Sequence, residues 1–245
     1  MCRQLAYLGP PVTLAALLLD PPHSLLHQSY APAEMRGGGT VNADGFGVGW
    51  HTGDGPVRYR RACPLWSDES FGALARVTRS GAVFAAVRSA TVGMPVTETA
   101  CAPFADGALM FGHNGRILGW PDSVAKLAER LPVTDLLTLD APTDSALLWA
   151  LVRHRLRAGA DPTDAVRGVV CDVLAAAPGS RLNLVLHTGS AVVATTAGHS
   201  LSYLDTGDAL TVGSEPSTVD RPWTPVPDGR ILTGTPDHLV LEELC

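Results

Sequence analysis

At 245 residues, with 46% hydrophobic and 17% charged side chains, the chain can bury a sizeable core, and its size suits one domain of helices and strands. A formal charge of −6, a single lysine (Lys126) and scattered arginines exclude nucleic acid or an anionic membrane as the main partner. The five cysteines lie far apart without a C-x-x-C, indicating neither a disulfide framework nor a zinc ribbon, so a reducing cytoplasm is the expected compartment.

The chain opens on Met1-Cys2. Aminopeptidases remove a leading methionine when the next side chain is small, so the mature chain is expected to begin at Cys2. That residue then carries a thiol and a free α-amine on adjacent carbons. An α-amine titrating at roughly 7.7–8.0 can accept the thiol proton near neutrality. Nucleophile and base then come from one residue. Arg3 and the apolar Val12–Leu19 loosely mimic a signal peptide. Pro10-Pro11 interrupts any helix there, Asp20-Pro21-Pro22 replaces a small-residue cleavage site, and the run is too short to span a bilayer, so a soluble chain without a targeting segment is expected.

Leu5–Leu8 reads as a buried strand, and Thr13–Leu19, fenced by prolines, as a short buried helix. His23 and His27 have the i, i+4 spacing of metal ligands, but no glutamate completes an H-E-x-x-H pattern, and no metal is expected. Pro and Gly then dominate to Asn42, predicting an irregular loop that contains Gly37-Gly38-Gly39. The glycine-rich segment 42–50 leads into a strand and not into a helix, so it lacks the helix N-terminus that a dinucleotide needs. Its glycines suit a strand approached closely by another backbone or a ligand.

Phe46–Trp50 and Val57–Arg61 read as a hairpin, and Ala82–Val87 and Leu109–Phe111 as buried strands. Asp144–Arg157 and Pro162–Ala176 each carry one apolar stripe, predicting two amphipathic helices. Strand patterns return at 182–187, 191–195, 201–203, 210–212, 231–233 and 238–241. Strands, then helices, then strands predict an α+β fold of two sheets with helices packed outside, in a single domain over residues 1–245.

Several residues suggest chemistry. Arg88 ends a buried strand and needs an anion, either a ligand carboxylate or a structural partner such as Glu98 or Asp44. Asn114-Gly115 follows a short strand; a turn there aims a side-chain amide and a backbone N–H at one point, as an oxyanion requires. The competing reading is an ordinary hairpin turn. Asp144 opens a helix and is either a first-turn acid or an acceptor for a ligand ammonium. With Cys2, the set matches a γ-glutamyl group: α-carboxylate and α-ammonium at one end, an amide carbonyl at the other.

The order Cys2, Asp44-Gly45-Phe46-Gly47, Arg88–Gly93, Ala102-Pro103-Phe104, His113-Asn114-Gly115 and Thr143-Asp144-Ser145 resembles the class II glutamine amidotransferase family. The resemblance covers most of the chain and implies a four-layer αββα sandwich of the N-terminal-nucleophile hydrolase type. It implies Cys2 as nucleophile, Asn114 and Gly115 as oxyanion hole, Arg88 on the substrate α-carboxylate and Asp144 on the α-ammonium. Ser145 is followed by Ala146 where many members have a glutamate, and nothing is carried over there. A length of 245 residues leaves no room for a synthase domain behind a glutaminase domain.

Further stretches, among them 20–25, 28–32 and Ser214-Glu215-Pro216, are similar to the γ-glutamyl hydrolases of ergothioneine biosynthesis. This narrower resemblance implies hydrolysis of γ-glutamyl-hercynylcysteine sulfoxide without cofactor, metal or obligatory protein partner. Tyr30, Trp66 and Trp223 are candidates for contacting the trimethylammonium of such a substrate. The rival expectations are a stand-alone glutaminase subunit feeding ammonia to a separate synthase, and a non-enzymatic small-molecule binding domain.

Overall fold

Strand β1 (Arg3–Thr13) is apolar on both faces, so it must lie between two layers. Leu5 and Tyr7 pack with Leu14, Leu18, Phe46 and Phe71, whereas Ala6 and Leu8 pack the other way with Phe84, Met110 and Val185. The computed structural model describes residues 2–36 and 41–245; Met1 and the glycine run expected in the first long loop lie outside them.

Around β1 stand β2 (Phe46–Thr52), β3 (Gly55–Arg61) and β4 (Arg79–Val87), and later in the chain β9 (Ser202–Asp205), β10 (Leu210–Gly213) and β11 (Thr224–Pro225). Among the described residues this sheet runs β11-β9-β10-β1-β4-β2-β3. The second sheet collects β5 (Phe104–Asp106), β6 (Leu109–Arg116), β7 (Arg181–His187), β8 (Val192–Thr196), β12 (Arg230–Thr235) and β13 (His238–Glu243), in the order β13-β12-β8-β7-β6-β5. Every strand pairing among the described residues is antiparallel.

Helices close both outer faces. On the first sheet lie α1 (Leu14–Leu18), α2 (Leu25–Gln28) and α3 (Glu69–Val77). The short α4 (Ala125–Ala128) and α5 (Val133–Leu137) precede the two long helices on the second sheet, α6 (Asp144–Arg157) and α7 (Pro162–Ala176). The two long helices follow their apolar stripes and their caps. Thr143 caps α6 by accepting from the Ala146 N–H, and Asp161 caps α7 just before a proline at the first helical position. Leu147, Leu148, Leu151 and Val152 of α6 then bury against the sheet, where Trp149 stacks on Phe111. The result is the four-layer αββα sandwich. No described helix is long and apolar enough to cross a membrane.

The interlayer face of β2 carries glycines because the sheets come very close there. A methyl at Gly47 would overlap the Ala102 carbonyl oxygen, and one at Gly49 the Met110 sulfur. The expected close backbone approach is thus found.

Two expectations are corrected. Asn114-Gly115 is not a turn: both residues sit inside β6, in register with Asn183 and Leu182 of β7. The ladder to β7 overrides the local turn preference of the Asn-Gly pair. Cys171 and Cys245 form a disulfide, with Cα atoms 5.7 Å apart. They are 74 residues apart in sequence, and only the packing of the C-terminal segment beside α7 brings them together. Cys2, Cys63 and Cys101 are free.

Candidate active site

The strand register gathers one end of each sheet. Arg3 lies opposite Val87, and Phe46 also faces Val87, so Cys2, Arg88 and Gly45 emerge at the same edge. Leu5 opposite Gly213 brings the Ser214-Glu215 segment there as well. Across to the second sheet, the Gln4 side chain of β1 donates to the Asn183 carbonyl of β7 at 3.3 Å, which places the Asn114–Asn183 pair beneath the same edge.

Cys2 continues the inward alternation of Gln4, Ala6 and Leu8, which turns its side chain toward the interlayer space. Its Sγ lies 4.0 Å from the Ser89 carbonyl oxygen. Asn114 shares the inward parity of Met110 and Gly112 on β6 and is 2% exposed. Its side-chain carbonyl has no hydrogen-bond partner among the described residues. A buried amide of this kind usually finds partners, so this one is not consumed in holding the strand. Gly115 has no room for a side chain, since a methyl would run into the Arg181 carbonyl.

Arg88 is half-buried, and its Nη1 donates to the Pro95 carbonyl at 2.8 Å. The two structural partners considered for it are engaged elsewhere. Asp44 accepts from the Ala90 N–H at 2.7 Å, and Glu98 lies 3.4 Å from Arg61. Among the described residues, no carboxylate forms an ion pair with Arg88.

Asp144 is the first residue of α6 and is 6% exposed. Its Oδ1 accepts from the Ser145 N–H at 2.8 Å and its Oδ2 from the Ile117 N–H at 3.1 Å. The helix N-terminus stabilises this negative charge. A carboxylate has about four acceptor positions, so one on Oδ2 stays open. No cation among the described residues pairs with it. Cys2, Arg88, Gly115 and Asp144 line one cleft, with Thr91, Met94, His113 and Ser145; Asn114, between His113 and Gly115 on β6, is not among the lining residues.

A deeper recess joins Cys2 to Cys101 and Phe104. Burial pushes the Cys101 thiol up to about 11, against the lowering influence of the Arg88 charge. Its S–H faces the Arg61 and Thr97 carbonyls, each 3.4 Å away, and donates to one of them at a time. Cys101 therefore stays a neutral thiol near pH 7.

His23 and His27 face each other, with Nδ1 atoms 3.1 Å apart, and His23 Nε2 meets Glu215 Oε2 at 2.6 Å. Of the three aromatic candidates, Tyr30 and Trp66 form an exposed edge-to-face pair with ring centroids 5.9 Å apart. Trp223 instead borders a groove on the outer face of the first sheet with Tyr7 and Arg221, separate from the residues lining the Cys2 cleft.

A γ-glutamyl-hercynylcysteine sulfoxide hydrolase of Mycolicibacterium smegmatis is 40% identical to this chain over 247 residues, covering 100% of both. The chain belongs to the γ-glutamyl-hercynylcysteine sulfoxide hydrolase family. No family profile matches it. Among solved structures, a glutamine aminotransferase class-II domain protein from Silicibacter pomeroyi superposes with a TM-score of 0.71 at 24% identity, covering 100% of both chains. The glutamine phosphoribosylpyrophosphate amidotransferase of B. subtilis superposes with 0.68 at 15% identity over 49% of its own length. At these identities the likeness is one of fold, the four-layer αββα sandwich.

Proposed function

We propose that this chain hydrolyses the γ-glutamyl amide bond of γ-glutamyl-hercynylcysteine sulfoxide, with Cys2 as nucleophile after removal of Met1. The observation that carries the reading is the pair of opposite charges, Arg88 and Asp144, in the cleft that Cys2 lines, neither with an ionic partner among the described residues. Half-buried and buried charges without partners are costly. An α-amino acid head group supplies both counterions at once.

In this reading Arg88 grips the α-carboxylate and Asp144 accepts from the α-ammonium, which presents the γ-carbonyl to Cys2. The Cys2 amine takes the thiol proton and the thiolate attacks the γ-carbon. Asn114 and the Gly115 N–H hold the oxyanion. As the C–N bond breaks, the protonated amine returns its proton to the departing nitrogen, leaving a γ-glutamyl thioester. A water attacks that thioester, giving its proton to the same amine. The second tetrahedral intermediate then expels the thiolate and glutamate leaves. We propose a reducing cytoplasm as the compartment, because the Cys2 thiol must stay reduced to act; the Cys171–Cys245 disulfide runs against it.

The test has two arms. Intact mass of the active protein should match a chain that begins at Cys2, and a γ-glutamyl diazoketone should add once, to the N-terminal peptide. Full activity in protein retaining Met1, or in Cys2→Ala, would end the proposal. In the second arm, kcat/KM for the sulfoxide conjugate should exceed that for free glutamine, because the leaving half adds transition-state binding. Equal values would favour a glutaminase.

A further inference from the structure

A charged cluster next to the cleft is not used by this chemistry. Arg3 follows the nucleophile and is 1% exposed; Glu215, 212 residues later, is 2% exposed. Arg3 Nε donates to Glu215 Oε1 at 2.7 Å, and Arg3 Nη1 donates to the carbonyl of Cys2 at 2.9 Å. Its third nitrogen, Nη2, donates to the Glu34 carbonyl. Glu215 is filled as completely. Its Oε1 also accepts from the Glu34 N–H at 3.2 Å, and its Oε2 accepts from the Ala33 N–H at 2.8 Å and meets His23 Nε2 at 2.6 Å. Next in sequence, Ser214 and Gln4 exchange two bonds, each 2.9 Å. Burial would raise the Glu215 carboxyl. The bonds from His23 and Ala33 and the Arg3 charge bring it below the ordinary carboxylate range.

We infer that Glu215 is a positioning residue for the nucleophile: through Arg3 it fixes the backbone of Cys2 against the turn at Ala33–Glu34. The inference rests on Cys2 being the nucleophile. Its physical ground is the alternative to a clamp. A terminal residue preceding its strand has few bonds of its own and frays. Here the residue-2 carbonyl is held by a guanidinium that is itself held on two further sides. For stability alone, an apolar pair of similar volume often does as well as a buried ion pair, or better. What such a pair adds in this place is a fixed geometry, and a displacement of about 1 Å at a reacting group can cost ~10²-fold in rate.

The test compares Glu215→Gln, Arg3→Lys and Cys2→Ala in the full chain, with Met1 removal verified by intact mass. Glu215→Gln leaves the Arg3 charge buried without its partner and can fail to fold. Arg3→Lys decides in that case, because lysine keeps the charge opposite Glu215 but lacks the fork that reaches Cys2 and Glu34 together. In folded Arg3→Lys, kcat should fall by ~10²-fold with KM within about twofold, and alkylation of Cys2 by iodoacetamide should slow in parallel. A merely structural role would lower the melting temperature and leave kcat and alkylation of the folded protein near wild type, which overturns the inference. A loss confined to KM overturns it as well. Activity surviving in Cys2→Ala would instead remove the proposed mechanism on which it rests, so the two failures are distinct.

Discussion

At the scale of single residues, Asn114 separates a structural from a chemical reading most sharply. It sits within a strand, 2% exposed, and its amide carbonyl lacks a partner among the described residues. If the amide is one of two oxyanion donors, Asn114→Ala should lower kcat by roughly 10²–10³ with little change in stability. A kcat within threefold of wild type would return Asn114 to a packing role. The sequence singles this residue out through a turn that the structure does not contain. An Asn-Gly pair is a strong hairpin signal, and only the ladder with β7, formed by a segment some 70 residues away, shows that it lies in a strand. Arg88 drew notice as a charge ending an apolar run, which demands a partner whatever the fold, and Asp144 as an acid opening a helix, a position that a plain first-turn acid also explains. Arg3 escaped. In the sequence it reads as the basic start of a signal-like segment, and its partner Glu215 stands 212 residues away.

At the scale of elements, β2 shows what composition fixes and what it leaves open. Alternate glycines implied a close approach without saying of what; the structure supplies the Ala102 carbonyl opposite Gly47. A backbone oxygen cannot swing aside as a flexible side chain can. Gly47→Ala should therefore cost about 1–3 kcal/mol as overpacking. Gly53, in the turn that ends this strand, has nothing within 4 Å of where a methyl would go. Gly53→Ala should stay within about 0.5 kcal/mol of wild type. Urea midpoints at constant m-value measure both. Equal shifts would mean that the two sheets can part at β2 without loss. The helices α6 and α7 coincide with the ranges expected for them, because stripe, cap and proline agree locally. The disulfide was not legible, since nothing in the spacing of Cys171 and Cys245 records that α7 and the C-terminal segment become neighbours.

For the whole molecule, stability depends on how the two sheets stay stacked, and a neutral histidine is part of that seam. His187 on β7 is fully buried. Its Nε2–H donates to the Tyr7 carbonyl of β1 at 3.0 Å, and its Nδ1 accepts from the Gly189 N–H at 3.0 Å. Both nitrogens are occupied, so a second proton has no acceptor and would break the Gly189 bond. Burial lowers this histidine to about 4, the Tyr7 hydrogen bond opposing the shift only in part. His199, also lowered by burial, titrates at about 3. In the unfolded chain a histidine titrates near 6.5. Between that value and the folded one, the unfolded state binds a proton that the folded state refuses. Stability is thus fully present above about pH 6.5 and falls as pH drops toward 4, at a slope approaching about 1.4 kcal/mol per pH unit for each such proton. Glu215, shifted downward, adds a loss of the same sign below its ordinary range. Urea midpoints between pH 7.5 and 4 should decline accordingly. His187→Asn should be less stable than wild type at pH 7.5 yet lose less on acidification, so the two curves converge. Parallel curves would mean that His187 takes up its proton in the folded protein without disturbing the seam.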